Sequence, residues 1–276
     1  MTDYGPCDAG YHVDCLEREG QLLAAAAARA GAGAPVPSCP GWRVRDLLAH
    51  TGYVHRWAAG FVAEGRTGPV DTPDEADLLR LAPADSGLLA WFTEGHAALV
   101  RTLREAPADL RCWSFLPAPS PLAFWARRQA HETAIHRVDA EQAAAASPGG
   151  AGGGGSGGAP DGGVTPLAGR FAADGIDELL TGFLARSMRR GRWQGRPGRL
   201  GIHARDGERE ADWLVVTGPD GSSVSRGAGP ADCDVTGPAA SLYLAVWNRG
   251  PVGRLAVRGD PGFLADLRDG LQVRWS

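Results

Sequence analysis

The amino-acid sequence predicts an α+β protein, in which an N-terminal four-helix bundle is followed by a smaller C-terminal α+β domain. In the first part of the 276-residue chain, apolar residues recur at spacings of three and four, in long segments joined by short connections. This pattern is typical of bundled helices. After Gly191 it changes to short alternating segments between turn signals, which is typical of strands. We therefore assign residues 1–190 to the bundle and residues 191–276 to the smaller domain.

The bundle helices are predicted in order along the chain. The first covers residues 16–30, which are rich in alanine and end at glycines that stop a helix. The second covers residues 42–63 and follows a turn at residues 37–41 that contains two prolines and a glycine. The third and fourth cover residues 86–105 and 122–146, and prolines break the chain between them.

The chain beyond the fourth helix changes in composition. Residues 147–163 are almost entirely Gly, Ala and Ser, so they cannot bury enough apolar surface to fold, and we predict a flexible loop. Residues 167–189 resume a helical pattern. The smaller domain is predicted to contain four strands and two helices. The strands are residues 198–204, 211–217, 233–236 and 255–258, and the helices are residues 238–248 and 261–270.

Composition excludes several classes of function. The formal net charge is -4, so we expect no nucleic-acid partner. No apolar run reaches the roughly 18 residues that a membrane-spanning helix needs, and the polar N-terminus lacks a signal peptide, so we expect no membrane association. The five cysteines are irregularly spaced without a CxxC pair, which favours a reduced, cytoplasmic chain. We expect a monomer or a homodimer.

Two short patterns suggest a metal site. Glu132 and His136 are four residues apart, so their side chains lie on one face of a helix and could supply two ligands. On another predicted helix, His50 falls in a stripe of large apolar residues that faces inward. His131 lies about 100° around the helix from Glu132, so we do not expect it to share the metal.

Each pattern also has a simpler interpretation. Glu and His four residues apart often occur on solvated helix faces, and His50 could be a core histidine bonded to a backbone carbonyl. Taken together, the three residues could form a site with an open position for water or a thiol, as in catalytic zinc sites. Two imidazoles and a carboxylate suit a divalent metal, with zinc favoured and nickel, cobalt or iron as alternatives.

Three stretches resemble the mycothiol-dependent maleylpyruvate isomerase family, part of the DinB-like metalloprotein superfamily. They are VPSCPGWRVRDLLAH at residues 36–50, RQAHETAIHR at residues 128–137 and DGIDELL at residues 174–180. The resemblance implies a DinB-like four-helix bundle that binds a divalent metal through His50, Glu132 and His136. It also implies mycothiol as the thiol cosubstrate. All 28 basic residues are arginine, which is typical of a GC-rich, for example actinobacterial, genome and agrees with mycothiol.

The stretch LYLAVWNRG at residues 242–250 resembles the family's small C-terminal domain, and the resemblance implies a catalytic role for Arg249. A guanidinium can hold a substrate carboxylate through two hydrogen bonds. The family pattern has glycine before this arginine, whereas this chain has Asn248. The alternative interpretation of Arg249 is a solvated helix end.

The resemblance implies that the metal activates the thiol of mycothiol, which then attacks an electrophilic small molecule. Two outcomes stay open at this point. Cis-trans isomerisation of a maleyl-type acid follows if the thiolate leaves again, and S-transfer follows if the new C–S bond is kept. We favour the broader class of thiol transfer. The alternative is a non-catalytic metal- or small-molecule-binding protein on the same scaffold.

Overall fold

A computed structural model describes residues 4, 7–71, 75–147, 163–193, 195–219 and 221–271 of the chain. The described residues divide into two compact units. The first, the helical unit, spans residues 8–165. The second, the sheet unit, begins at residue 166 and also includes residues 4 and 7 of the N-terminus. The predicted flexible loop falls largely on residues 148–162, which lie outside the described residues.

The helical unit has the predicted bundle. The helices are α1 (Ala9–Ala30), α2 (Val44–Glu64), the short α3 (Glu75–Leu81), α4 (Asp85–Glu105) and α5 (Pro121–Ala146). Helix α1 begins earlier than predicted, because the Asp8 side chain accepts a hydrogen bond from the backbone N–H of Tyr11 and caps the helix. Helix α5 begins with Pro121 in its first turn, after Ser120 as its cap.

The bundle core contains a cluster of apolar residues from α1, α2, α4 and α5, and it is aromatic at one end. Helix α1 packs mainly on α5, and α2 packs mainly on α4. At the aromatic end, the rings of Phe61 and Trp125 stack at 5.0 Å, and Trp57 meets both edge-on. These contacts join α2 to α5, the helices that carry His50 and the Glu132–His136 pair.

Helices α1 and α4 approach closely at a glycine. The ring of His96 on α4 lies against Gly20, and its Nε2–H donates a 3.0 Å hydrogen bond to the carbonyl of Leu16. A Cβ atom at Gly20 would lie 2.2 Å from that Nε2 atom. Since His96 is buried, it has little room to move away.

We therefore expect Gly20→Ala to destabilise the helical unit by about 1–3 kcal/mol, despite the better helix propensity of alanine. The clash would displace His96 and break its bond to Leu16. Urea unfolding followed by circular dichroism measures the change. Gly33→Ala is the matched control, because Gly33 is exposed and nothing lies within 4 Å of its added Cβ. Equal stabilities of the two variants would contradict this packing.

The sheet unit contains an α+β arrangement. Within the described residues, five strands form one sheet in the order β3-β2-β1-β4-β5. They are β1 (Gly198–Asp206), β2 (Arg209–Thr217), β3 (Ser223–Arg226), β4 (Cys233–Gly237) and β5 (Ala256–Gly259). Strands β1 and β4 are parallel, and the other pairs are antiparallel. Strand β3 was not predicted. The helices are α6 (Gly169–Asp177), α7 (Ala185–Arg189), α8 (Ala239–Val246) and α9 (Gly262–Gly270).

The helix predicted at residues 167–189 belongs to the sheet unit, so the division lies between residues 165 and 166 rather than between 190 and 191. This helix is part of the sheet unit because it makes contacts with two strands of the sheet. The Asp177 carboxylate accepts hydrogen bonds from Trp213 on β2 and from Arg226 on β3. The helix is also not uniform: α6 passes into a π-helical segment at Glu178–Leu184 before α7.

No helix among the described residues is both long enough and apolar enough to cross a membrane. No disulfide joins the five cysteines, all of which lie in described parts of the chain.

Candidate metal centre

The bundle brings His50, Glu132 and His136 together. One ligand atom from each lies within 4.8 Å of the other two. Oε1 of Glu132 is 3.3 Å from Nε2 of His50 and 3.3 Å from Nε2 of His136. The side chains of His50 and His136 are 6% and 10% exposed, whereas Glu132 is 17% exposed. The cluster is therefore largely desolvated and can be reached from the side of the carboxylate.

Two of the three candidate ligands, Glu132 and His136, have a polar partner that orients them. Nη2 of Arg128, one helical turn before Glu132, donates a 3.1 Å hydrogen bond to Oε2 of Glu132. This leaves Oε1 directed at the two imidazoles. Nδ1 of His136 lies 2.9 Å from Oδ2 of the fully buried Asp139. Because a carboxylate only accepts, Nδ1 carries the proton and donates it, which leaves Nε2 facing the cluster.

The electrostatics of the cluster favour an ionised carboxylate and a charged imidazole. Burial alone would raise the pKa of Glu132, but hydrogen bonds to His136 and His50 and the charge of Arg128 hold it well below its usual range. Burial alone would lower the pKa of His136, but hydrogen bonds to Asp139 and Glu132 raise it to about 9. A metal ion would therefore displace a proton from His136 when it binds at neutral pH.

The donor set fits a divalent metal. Ligand atoms held about 2.0–2.2 Å from one cation at tetrahedral angles are separated by about 3.3–3.6 Å. The two separations of 3.3 Å involving Glu132 agree with that geometry. Two imidazole nitrogens and one carboxylate oxygen are also the ligand types of catalytic zinc sites.

A single turn borders the cluster. The ring of Trp42 lies 5.1 Å from that of His50 and stacks at 6.1 Å on that of His136. In the same turn, Sγ of Cys39 lies 3.5 Å from Oδ2 of Asp139. Cys39 thus packs against the core and also donates a weak hydrogen bond to a carboxylate.

The other histidines of α2 and α5, His55 and His131, lie outside the cluster. The ring of His131 lies 5.9 Å from that of His12 on α1, on a different face of α5 from Glu132. His55 is fully buried, and its Nε2 bonds to Thr133 Oγ1 at 2.9 Å. Burial keeps the pKa of His55 well below its usual value, so it is a neutral core histidine.

Arg249 lies in the sheet unit, three residues after the end of α8, and its side chain is half-buried. Nη1 of Arg249 donates a 3.0 Å hydrogen bond to the carbonyl of Trp247. Asn248 adopts a left-handed backbone with φ of 61°. Glycine adopts this conformation freely and asparagine tolerates it, so Asn248 can replace the glycine of the family pattern without changing the turn.

The residues that orient two of the candidate ligands were not predicted from the sequence. Arg128 and Asp139 stand four residues before Glu132 and three after His136, so helical spacing alone places them on the same stripe of α5. Trp42 stands in the quoted motif before His50, but nothing in its spacing indicates that it would stack on both imidazoles.

Comparisons with known proteins agree with this architecture. Residues 13–141 match the family model described as the mycothiol maleylpyruvate isomerase (MDMPI) N-terminal domain, and residues 170–266 match that of the MDMPI C-terminal domain. The chain is also similar to the crystal structure of the mycothiol-dependent maleylpyruvate isomerase, with a TM-score of 0.61 and 14% identity. The match covers 93% of this chain and 95% of that one, and a histidine-to-alanine mutant of that enzyme gives the same values. No curated protein matches the chain.

Proposed function

Because the chain belongs to the mycothiol maleylpyruvate isomerase family of enzymes, we propose that it uses mycothiol either to isomerise an electrophilic small molecule or to form a lasting C–S bond with it. The observation that carries this proposal is the convergence of His50, Glu132 and His136 on one point of the bundle. We propose these residues as the ligands of a divalent metal, with zinc favoured by the donor set.

A divalent cation at this position would supply Lewis acidity that lowers the pKa of a thiol, so that mycothiol is held as a thiolate at neutral pH. The residues of the chain would hold the metal ion and orient the groups that bind it. Arg128 fixes the Glu132 carboxylate through a hydrogen bond to its Oε2. Trp42 covers one side of the two imidazoles with an apolar ring and limits access of water there.

The charge of the cluster supports a thiolate rather than a neutral thiol. Glu132 and Asp139 contribute two negative charges, and Arg128 contributes one positive charge. With both imidazoles neutral, a divalent cation would leave one net positive charge in a largely buried place. Since isolated buried charge is costly, one thiolate would be the favourable fourth partner.

Isomerisation follows from reversible addition. The thiolate forms a C–S bond to one carbon of a cis double bond conjugated to a carbonyl, and the π electrons move onto that carbonyl. The former double bond can then rotate as a single bond. When the electrons return, the C–S bond breaks and the thiolate leaves a trans product. S-transfer results instead if the carbanion takes a proton before the C–S bond breaks.

We also propose that Arg249 binds a carboxylate of the acidic substrate, since a guanidinium offers two parallel N–H donors. Arg249→Lys keeps the charge but loses that geometry. We expect it to raise the KM for a maleyl-type acid about tenfold, corresponding to about 1.4 kcal/mol, with little change in the KM for mycothiol. Steady-state kinetics with each substrate varied in turn measures both constants. Arg258→Lys, at an exposed position of β5, is the control, and an unchanged KM in Arg249→Lys would refute the role.

The function is tested by incubating the purified, metal-loaded protein with mycothiol and a panel of electrophiles that includes maleylpyruvate. Mass spectrometry and ultraviolet absorbance detect isomers and S-conjugates. We expect turnover that requires both protein and mycothiol. If no electrophile in the panel reacts faster than in the protein-free mixture, a non-catalytic binding protein is the better interpretation.

A further inference from the structure

Asp139 is an ionisable residue with no exposed surface, placed one turn beyond the proposed ligand His136 on α5. Burying a carboxylate is costly unless hydrogen bonds compensate for the lost water. Oδ2 of Asp139 accepts from Nδ1 of His136 at 2.9 Å, and Oδ1 accepts from the Ser38 hydroxyl at 2.5 Å. The thiol of Cys39 also lies at hydrogen-bonding distance, 3.5 Å from Oδ2. Both oxygens are therefore held in fixed directions.

The donors Ser38 and Cys39 both lie in one compact turn. The backbone N–H of Val36 bonds to the carbonyl of Trp42, the N–H of Trp42 bonds to the carbonyl of Cys39, and the N–H of Cys39 bonds to the carbonyl of Val36. This closed turn at residues 36–42 leads directly into α2, which carries His50. Its Ser38 holds Asp139, and its Trp42 stacks on His136. The turn thus connects α2, which carries His50, to Asp139 and to the ring of His136.

We propose that Asp139, held by Ser38 of this turn, is a positioning residue that fixes the orientation and protonated nitrogen of His136 for metal binding. The inference rests on the proposed metal site. An Nδ1–H that donates to a carboxylate leaves Nε2 as the electron-pair donor and makes it more basic. A ring without this partner could rotate or bind in the other tautomer, and the free energy of metal binding would fall.

The test measures binding of Co²⁺ alone to purified, metal-free protein, by competition with a chromogenic chelator and by the visible absorption spectrum of the bound ion. We expect Asp139→Ala to weaken Co²⁺ binding about 10- to 100-fold. Asp139→Asn retains an acceptor oxygen but not the charge, so its Co²⁺ affinity should fall by less than that of Asp139→Ala. Ser38→Ala should lower the affinity for Co²⁺ about fivefold, since one hydrogen bond to the carboxylate is removed.

The matched control is Ser147→Ala, which removes a hydroxyl that bonds to the Ala143 carbonyl at the far end of the same helix. We expect it to bind Co²⁺ like the wild type. A changed Co²⁺ spectrum in Asp139→Ala would support positioning, because a purely structural defect lowers the folded fraction without altering the bound ion. Circular dichroism establishes that fraction, and Ser38→Ala and Asp139→Asn decide the matter if Asp139→Ala does not fold.

The two proposals fail in different ways. A wild-type protein that binds no Co²⁺ would overturn the proposed metal site and this inference with it. A wild type that binds Co²⁺, with folded Asp139 variants of equal affinity and spectrum, would overturn only the positioning role.

Discussion

Substituting His50 with alanine is expected to weaken metal binding sharply and to lower mycothiol-dependent turnover with it. Structural sites with four ligands bind Zn²⁺ with a free energy of about 10–16 kcal/mol, so one ligand contributes about 3–4 kcal/mol. That corresponds to a loss of about two to three orders of magnitude in metal affinity. Metal content by mass spectrometry, affinity by chelator competition and initial rates with mycothiol measure the effect.

The control for this substitution is His131→Gln on α5. His131 is buried and stands next to Glu132 in sequence, but its ring lies against His12 rather than in the cluster. It should keep one metal per chain. If His50→Ala also kept one metal per chain at the wild-type affinity, the ligand assignment would be wrong. If both variants lost the metal, the loss would follow from general disruption of the bundle, and the assignment would lack support.

The fold was predictable because its signals are local. Apolar residues spaced three and four apart mark the bundle helices, and α5 was predicted within one residue of its observed start. The boundary between the units was not predictable in the same way. The pattern of residues 167–189 shows that they form a helix, but not that Asp177 would bond to Trp213 and Arg226. The π-helical segment changes hydrogen bonding without a distinct apolar pattern.

The proposed ligands were predictable in part from spacing and in part from the family motifs. The spacing of Glu132 and His136 on α5 was visible, but their approach to His50 depends on how α2 and α5 pack. The stripe on α5 in fact extends from Arg128 through both residues to Asp139. Its outer members were overlooked because a charged residue on a helix is usually solvated. Helix α5 departs from this rule, since polar residues are buried around much of its circumference.

The buried polar residues of α5 also include Arg137, the residue after His136, which lies at the centre of an ion network. Arg137 has no exposed surface, and its Nε bonds at 2.7 Å to Glu19 on α1. Its Nη1 bonds at 2.7 Å to Glu141 and at 2.8 Å to the Thr165 carbonyl. Burial alone would lower the pKa of Arg137, but the two carboxylates raise it above its usual value, so it stays charged. The network fastens α5, with its cluster residues, to α1.

Arg137→Met is therefore expected to destabilise the helical unit by about 3–5 kcal/mol, because it leaves two carboxylates buried without their cation. Urea unfolding in the presence of a chelator, followed by circular dichroism, isolates this effect from metal binding. Arg104→Met is the control. Arg104 also pairs with two carboxylates on α1, but its side chain is 46% exposed.

An exposed pair contributes about 0–1 kcal/mol, so the control should lose no more than that. Adding Glu19→Gln and Glu141→Gln to Arg137→Met should restore part of the stability, because the uncompensated charges are then removed. If Arg137→Met lowered the free energy of unfolding no more than Arg104→Met does, the network would not stabilise the packing of α5 on α1. The rigidity of the proposed ligands on α5 would then depend on apolar packing and on the turn at residues 36–42.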